Sequence, residues 1–335
     1  MILALFGSAA LAADAPADRE KLRMDVLKRM QEVMGEQPDR SQLPSLDLKI
    51  TETFQGDGYR RHTVSLANLF DERVTAYLYV PDNIQPGQRR PGALALQSTG
   101  MEGKQIVDGR GPRGQSRAYG LELAQRGYVV IAPDYPSFGE QANYDFAASR
   151  YASGTMKAIS DNLRCIDLLQ SRDDVDAARI AVIGHSLGGH NALFTAAFDE
   201  RIKATVTSCG WTPFHHYYGG KKLANWAQTR YMPRVTSVYG NNADKMPFDF
   251  PELIASAIAP RAVFSNSPIN DSNFDVEGVR LGSAEVKRAY DALGVADRFI
   301  VRYPNYAHDF ADDTRREAYR FIDAQLGFTP VRDVL

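Results

Sequence analysis

The chain has 335 residues, of which 44% are hydrophobic and 24% charged, with a formal net charge of −2. That balance is globular and excludes the strongly basic surface that a nucleic-acid partner requires. No apolar run is long enough to span a bilayer, and no repeat period is present.

The opening run MILALFGSAALAAD is apolar and ends in small residues, and Ala10-Leu11-Ala12 fits the small-x-small pattern of a secretory cleavage site. Residues 1–12 therefore read as a signal peptide, one lacking the usual basic start, as a truncated signal would. The expected location is periplasmic or secreted; the alternative is an apolar helix docked on a cytoplasmic protein. Residues 13–45 read as an N-terminal helical arm. Leu22, Val26, Met30 and Val33 recur at helical spacing over 18–34, and Gly35 and Pro38 stop the helix. A polar stretch follows. Over 74–80, Val74, Ala76, Leu78 and Val80 alternate with Thr75, Tyr77 and Tyr79, the pattern of a half-exposed strand ending at Pro81.

From there strands alternate with helices. The spacing predicts strands at 93–96, 128–132, 180–183, 202–207, 262–264 and 299–303, and helices at 115–126, 156–171, 187–198, 284–293 and 314–326. This alternation implies an α/β domain over 46–330, with a mostly parallel sheet between helical layers. Chemistry in such sheets collects at the C-terminal ends of the strands. Residues 210–260 interrupt the pattern with an aromatic-rich insertion or cap. Trp211, Trp226 and Tyr231 are its candidates for substrate binding, against the equal alternative of a local aromatic core. Cys165 and Cys209 sit in apolar contexts and read as two buried thiols, without metal-ligand spacing.

The stretch Ile183 to His190, IGHSLGGH, lies where a strand gives way to a helix. Gly184-His185-Ser186-Leu187-Gly188 fits G-x-S-x-G, a sharp turn that projects a serine hydroxyl from the sheet at the positive end of a helix. Ser186 is thus a candidate nucleophile, and a nucleophilic serine requires a base and an acid. Of six histidines, His62 precedes the first clear sheet strand. His185 and His190 belong to the elbow and its helix, and His215 and His216 to the insertion. His308, in YPNYAHDF, follows a predicted strand, comes after the serine, and is the candidate base. The acid should lie between them. RAVFSNSPINDSNFD supplies Asp271, which comes sooner after its strand, and Asp275 as the alternative. The oxyanion donors would be the backbone N–H groups of Leu187 and of the loop Gln97-Ser98-Thr99-Gly100, with Thr99 the choice there.

These residues, in this order over this pattern, resemble the α/β-hydrolase superfamily across residues 50–326. The likeness is to the bacterial branch of dienelactone-hydrolase-like and acetyl-xylan-esterase-like proteins and prolyl-oligopeptidase catalytic domains. The phrases GHSLGGHNALFTAAFDERI, APRAVFSNSPIND, YPNYAHDF and VVIAPDYPSFGEQ carry it. Dienelactone hydrolases use cysteine as nucleophile, so serine here argues for an esterase. The usual His-Gly oxyanion phrase reads Gln97-Ser98, and the acid loop carries SNFDVEG in place of a Pro-rich stretch. The resemblance implies a serine carboxylesterase acting on small acyl or sugar esters through an acyl-enzyme, with no cofactor and no metal. Its expected partner is a small-molecule or carbohydrate ester. The competing readings are an amidase or peptidase on the same triad, and a non-catalytic binding protein that keeps the fold.

Overall fold

A computed structural model describes residues 16–82, 84–112 and 114–335. The expected signal peptide lies outside the described residues. Nine strands form one sheet: β1 (Lys49–Gln55), β2 (Tyr59–Ala67), β3 (Arg73–Pro81), β4 (Arg90–Leu96), β5 (Val129–Pro133), β6 (Val175–His185), β7 (Ile202–Ser208), β8 (Ala262–Asn266) and β9 (Phe299–Arg302). Their order is β1-β2-β3-β5-β4-β6-β7-β8-β9. The β1–β2, β2–β3 and β3–β5 pairs are antiparallel, and every pair from β5 through β4 to β9 is parallel.

The central strands are buried on both faces, so period two divides their side chains between two cores. Leu94, Leu96, Val129, Ile131, Ile180 and Val182 face one core. Their neighbours Ala93, Ala95, Val130, Ala132, Ala181 and Ile183 face the other. The first core is closed by α1 (Pro16–Met34), α3 (Gly154–Ser171), α4 (Leu187–Phe198) and α5 (Val276–Ala292). The second is closed by α2 (Tyr119–Arg126) and α6 (Asp312–Gln325).

Helix α1 buries Val26, Met30 and Val33 completely, which accounts for the spacing read in the sequence. It is tied down at its end by Ser153, whose hydroxyl donates to Met34 O at 2.6 Å while capping α3 through Met156 N. Arg29 pairs with Glu252 of the insertion, so the arm and the insertion are fastened together.

Three expectations change. Strands β1 and β2 fall in the stretch read as polar: β1 is exposed along both faces, so nothing imposes an apolar alternation on it. Strand β3 is buried over most of its length rather than half-exposed, because β2 covers its edge and Arg61 lies over the Tyr77 ring. Helix α5 begins at Val276, well before the expected 284, because Asp275 caps it.

Residues 210–260 hold only short helical turns, among them the α-helical turns Arg234–Ser237 and Phe250–Leu253. Trp211, Phe214, Trp226, Phe248 and Phe250 are buried and belong to the same core as α1 and α4.

Candidate active site

Strand β6 ends at His185 and α4 begins at Leu187, so Ser186 alone makes the turn. Its backbone has φ 55° and ψ −114°. A non-glycine residue there costs about 1–3 kcal/mol and persists only where the surroundings enforce it. Ser186 N donates to Ser208 O at 2.8 Å, and His190 N reaches back to Ser186 O at 3.2 Å. The flanking glycines are steric requirements. A Cβ on Gly184 would lie 2.2 Å from Gly188 O, and one on Gly188 would lie 2.1 Å from Leu96 O. The helix thus closes onto the end of β4, and Ser186 stands half-buried at its N-terminus.

Ser186 opens onto a cleft of about 660 Å³ at the C-terminal ends of the parallel strands. His308 lines the same cleft. It comes from the loop after β9, and its Nδ1 lies 2.8 Å from Asp271 Oδ2. Asp271, on the loop after β8, has a fully buried carboxylate. Its Oδ1 accepts from the N–H groups of Asn273 at 2.8 Å and Phe274 at 3.2 Å. Those two donors fix its orientation. With Nδ1 donating to a carboxylate, the other ring nitrogen of His308 is left to accept a proton. The ring is stacked on Phe274 at 6.0 Å and 15°. Arg117, buried and paired with Asp309, reaches His308 O at 3.5 Å.

The alternative acid takes another place. Asp275 Oδ1 accepts from Glu277 N at 2.8 Å as the N-cap of α5. Of the expected oxyanion donors, Leu187 is the first residue of α4, where the N–H has no partner within the helix. Thr99 follows β4 and lines the cleft with Ser98 and Gly100.

The three insertion candidates divide. Trp226 and Tyr231 line the cleft. Trp211, expected in the same wall, is instead 1% exposed, and its indole N–H donates to Ser265 Oγ at 2.9 Å. That bond draws the ring down over β8 into the core. The sequence reading passed over several wall residues, among them His190, Tyr217, Tyr218, Asn225, Asn273 and Phe274. His190 was legible, since it lies in the first turn of the helix that follows Ser186. Burial pushes its pKa down to about 3, so it is neutral at ordinary pH, and its ring lies 4.6 Å from Trp226. The tyrosines were not legible, because a long-range bridge from Tyr217 to Phe274 brings them to the cleft.

Among the described residues, His185, Cys209 and His308 hold ligand-type atoms within 4.8 Å of one another. They do not make a good metal cage. Burial and the Asp271 carboxylate raise the Cys209 thiol, which is already a donor to Asp309 O at 3.3 Å, and the thiolate is the form that ligates.

The family model for glucuronyl esterases of fungi matches residues 131–294. The chain is 28% identical over 319 residues to the putative hydrolase YtaP of Bacillus subtilis (strain 168), covering 91% of this chain and 100% of that protein. It is 27% identical over 205 residues to the carbohydrate esterase MZ0003 of an unknown prokaryotic organism, covering 56% of this chain and 46% of that protein. Among solved structures, a glucuronoyl esterase from Solibacter usitatus superposes with a TM-score of 0.70 at 18% identity, over 92% of each chain.

Proposed function

We propose that this chain, a carboxylic ester hydrolase of α/β-hydrolase fold, cleaves carbohydrate esters with Ser186 as nucleophile, His308 as base and Asp271 as the acid behind it. The observation that carries the reading is the His308–Asp271 pair at 2.8 Å, opening onto the cleft that holds Ser186 in its strained turn.

The chemistry follows from the geometry. The unbonded nitrogen of His308 takes the Ser186 proton as Oγ attacks the ester carbonyl, and Asp271 stabilises the imidazolium. The developing oxyanion is met by the backbone N–H groups of Leu187 and Thr99, worth about 3 to 4 kcal/mol for one such donor. His308 returns the proton to the leaving alcohol. Water then attacks the acyl-enzyme by the same route.

The sugar moiety is supported by the walls. Aromatic faces from Trp226, Tyr217 and Tyr218 stand beside the amides of Asn225, Gln228 and Asn273, a combination suited to rings that carry hydroxyl groups. The likeness to the carbohydrate esterase MZ0003, at 27% identity over 205 residues, supports the same substrate class. A periplasmic or secreted location is proposed with this reading, since a polymer-borne ester lies outside the cell.

The test is Ser186→Ala assayed on acyl sugars, aryl esters and aminoacyl amides. Esterase turnover should fall by roughly three to six orders of magnitude with the fold retained. Near-wild-type ester cleavage by the variant would remove Ser186 from the mechanism, and faster cleavage of amides than of esters by the wild type would favour the amidase.

A further inference from the structure

His185, the residue ahead of the proposed nucleophile, sits in a hydrogen-bond chain whose polarity can be read from one end. Asp309 contributes a backbone carbonyl, which only accepts. Asn266 Nδ2 lies 2.9 Å from that oxygen, which fixes the orientation of the amide. The second Nδ2 hydrogen goes to Ser208 Oγ at 2.8 Å, and Asn266 Oδ1 accepts from the Tyr306 hydroxyl at 3.0 Å. Ser208 Oγ is therefore an acceptor on the Asn266 side. Its own hydrogen is directed to His185 Nδ1, 2.9 Å away, in preference to the Cys209 sulfur at 4.0 Å. Ser208 and Asn266 are fully buried and His185 is 1% exposed, so bulk water does not compete for these bonds.

From this chain we infer that His185 is a positioning residue for His308: a neutral imidazole with its proton fixed on Nε2, set edge-on against the ring of the base. The two ring centroids are 4.8 Å apart at 60°. Phe274 stacks on the His308 ring, and Asp271 holds its Nδ1, so three contacts fix its plane. A second imidazole this close must stay uncharged, because His308 becomes cationic during turnover and two adjacent cations repel. A hydroxyl donor at Nδ1 achieves this where a carboxylate would hold a second proton. The other titratable groups around His185 are committed elsewhere. The Cys209 thiol donates to Asp309 O, Asp271 bonds His308, the Asp309 carboxylate pairs with Arg117, and the Tyr119 hydroxyl donates to Leu96 O.

The inference rests on the proposed Ser186–His308–Asp271 reading, and its test fails separately. Long-range 1H–15N spectra of the imidazoles are recorded on the full chain across the pH range of the activity profile, with His185→Asn identifying the signals. His185 should remain a neutral Nε2–H tautomer throughout. An Nδ1–H tautomer, or protonation of His185 within that range, would overturn the inference even if a fluorophosphonate still labels Ser186; loss of that labelling would instead sink the triad reading. Ser208→Ala supplies the second arm. It should release the tautomer into a mixture and lower kcat on the order of tenfold at unchanged KM, less than the ~100-fold cost of misplacing a reacting group by a full ångström. A fixed Nε2–H tautomer in that variant, or an unchanged kcat, would mean that Ser208 only packs.

Discussion

Ser186 and Trp226 face the same cleft but are held there in opposite ways. Ser186 is fixed by backbone: Gly184 and Gly188 let helix and strand touch, and its N–H donates to Ser208 O on the neighbouring strand, holding a strained φ. Trp226 is fixed by side-chain packing. Its ring packs on His190, Phe214, Tyr217 and Phe250 within 4.6 to 6.0 Å. The proposed nucleophile is thus built on rigid backbone geometry, while the cleft wall is built from side-chain packing. The comparison predicts that the two regions fail differently, the first in rate and the second in stability or selectivity.

The largest effect expected is in rate. Asp271→Asn keeps the shape and removes the charge facing His308 Nδ1, so turnover should fall by about 10⁴. Asp275→Asn keeps a competent N-cap and should leave turnover within a few-fold. Steady-state kinetics on one aryl ester decide the pair, and the reverse order of severity would transfer the acid to Asp275.

The second effect is in stability. Trp226→Ala empties a site at 4% exposure among four rings and should destabilise the fold by about 3–5 kcal/mol, read by urea denaturation. A loss below about 1 kcal/mol would make the ring a free wall rather than a packed one.

The sequence carried these two regions unequally, for the same reason. A strained elbow leaves its signature within five residues, so Ser186 and the parallel α/β alternation could be read directly. His308 followed from chain order. Asp271 was preferred to Asp275 only for coming sooner after its strand, because the cap on α5 and the partner at Nδ1 are what distinguish them. The insertion left composition without geometry: Trp211 looks like Trp226 in sequence and both pack into one core, yet only Trp226 also lines the cleft, while Trp211 is bonded to the Ser265 hydroxyl over β8. Strand β1 left nothing at all, since neither of its faces is buried.

A third effect links the insertion to pH. Asp249 accepts from Phe214 N and Phe250 N, and burial raises its pKa from 3.8 to about 7. The folded chain therefore keeps a proton that the unfolded chain releases near pH 4. This group's contribution is intact below that pH and is lost as pH rises toward about 7. Asp249→Asn keeps an acceptor for both N–H groups and has no charge to bury. Its melting temperature should gain on the wild type progressively between about pH 4 and pH 7 and then level off. A constant difference across that window would contradict the assignment.

The smallest effect is in selectivity. Tyr218 lies half-buried on the cleft wall, with Lys222 Nζ 4.5 Å from its ring centroid. Tyr218→Ala should raise KM for a bulky sugar ester by about tenfold, the cost of one wall contact, while KM for an aryl acetate stays within about twofold. Equal changes on both substrates would detach the wall from recognition.

The central claim is that the elbow carries the covalent chemistry. The direct measurement is mass spectrometry of enzyme quenched during turnover of an activated aryl ester. The account predicts an acyl group on the peptide bearing Ser186, and none in Ser186→Ala. An acyl group on any other residue, or an adduct that persists in Ser186→Ala, would contradict it.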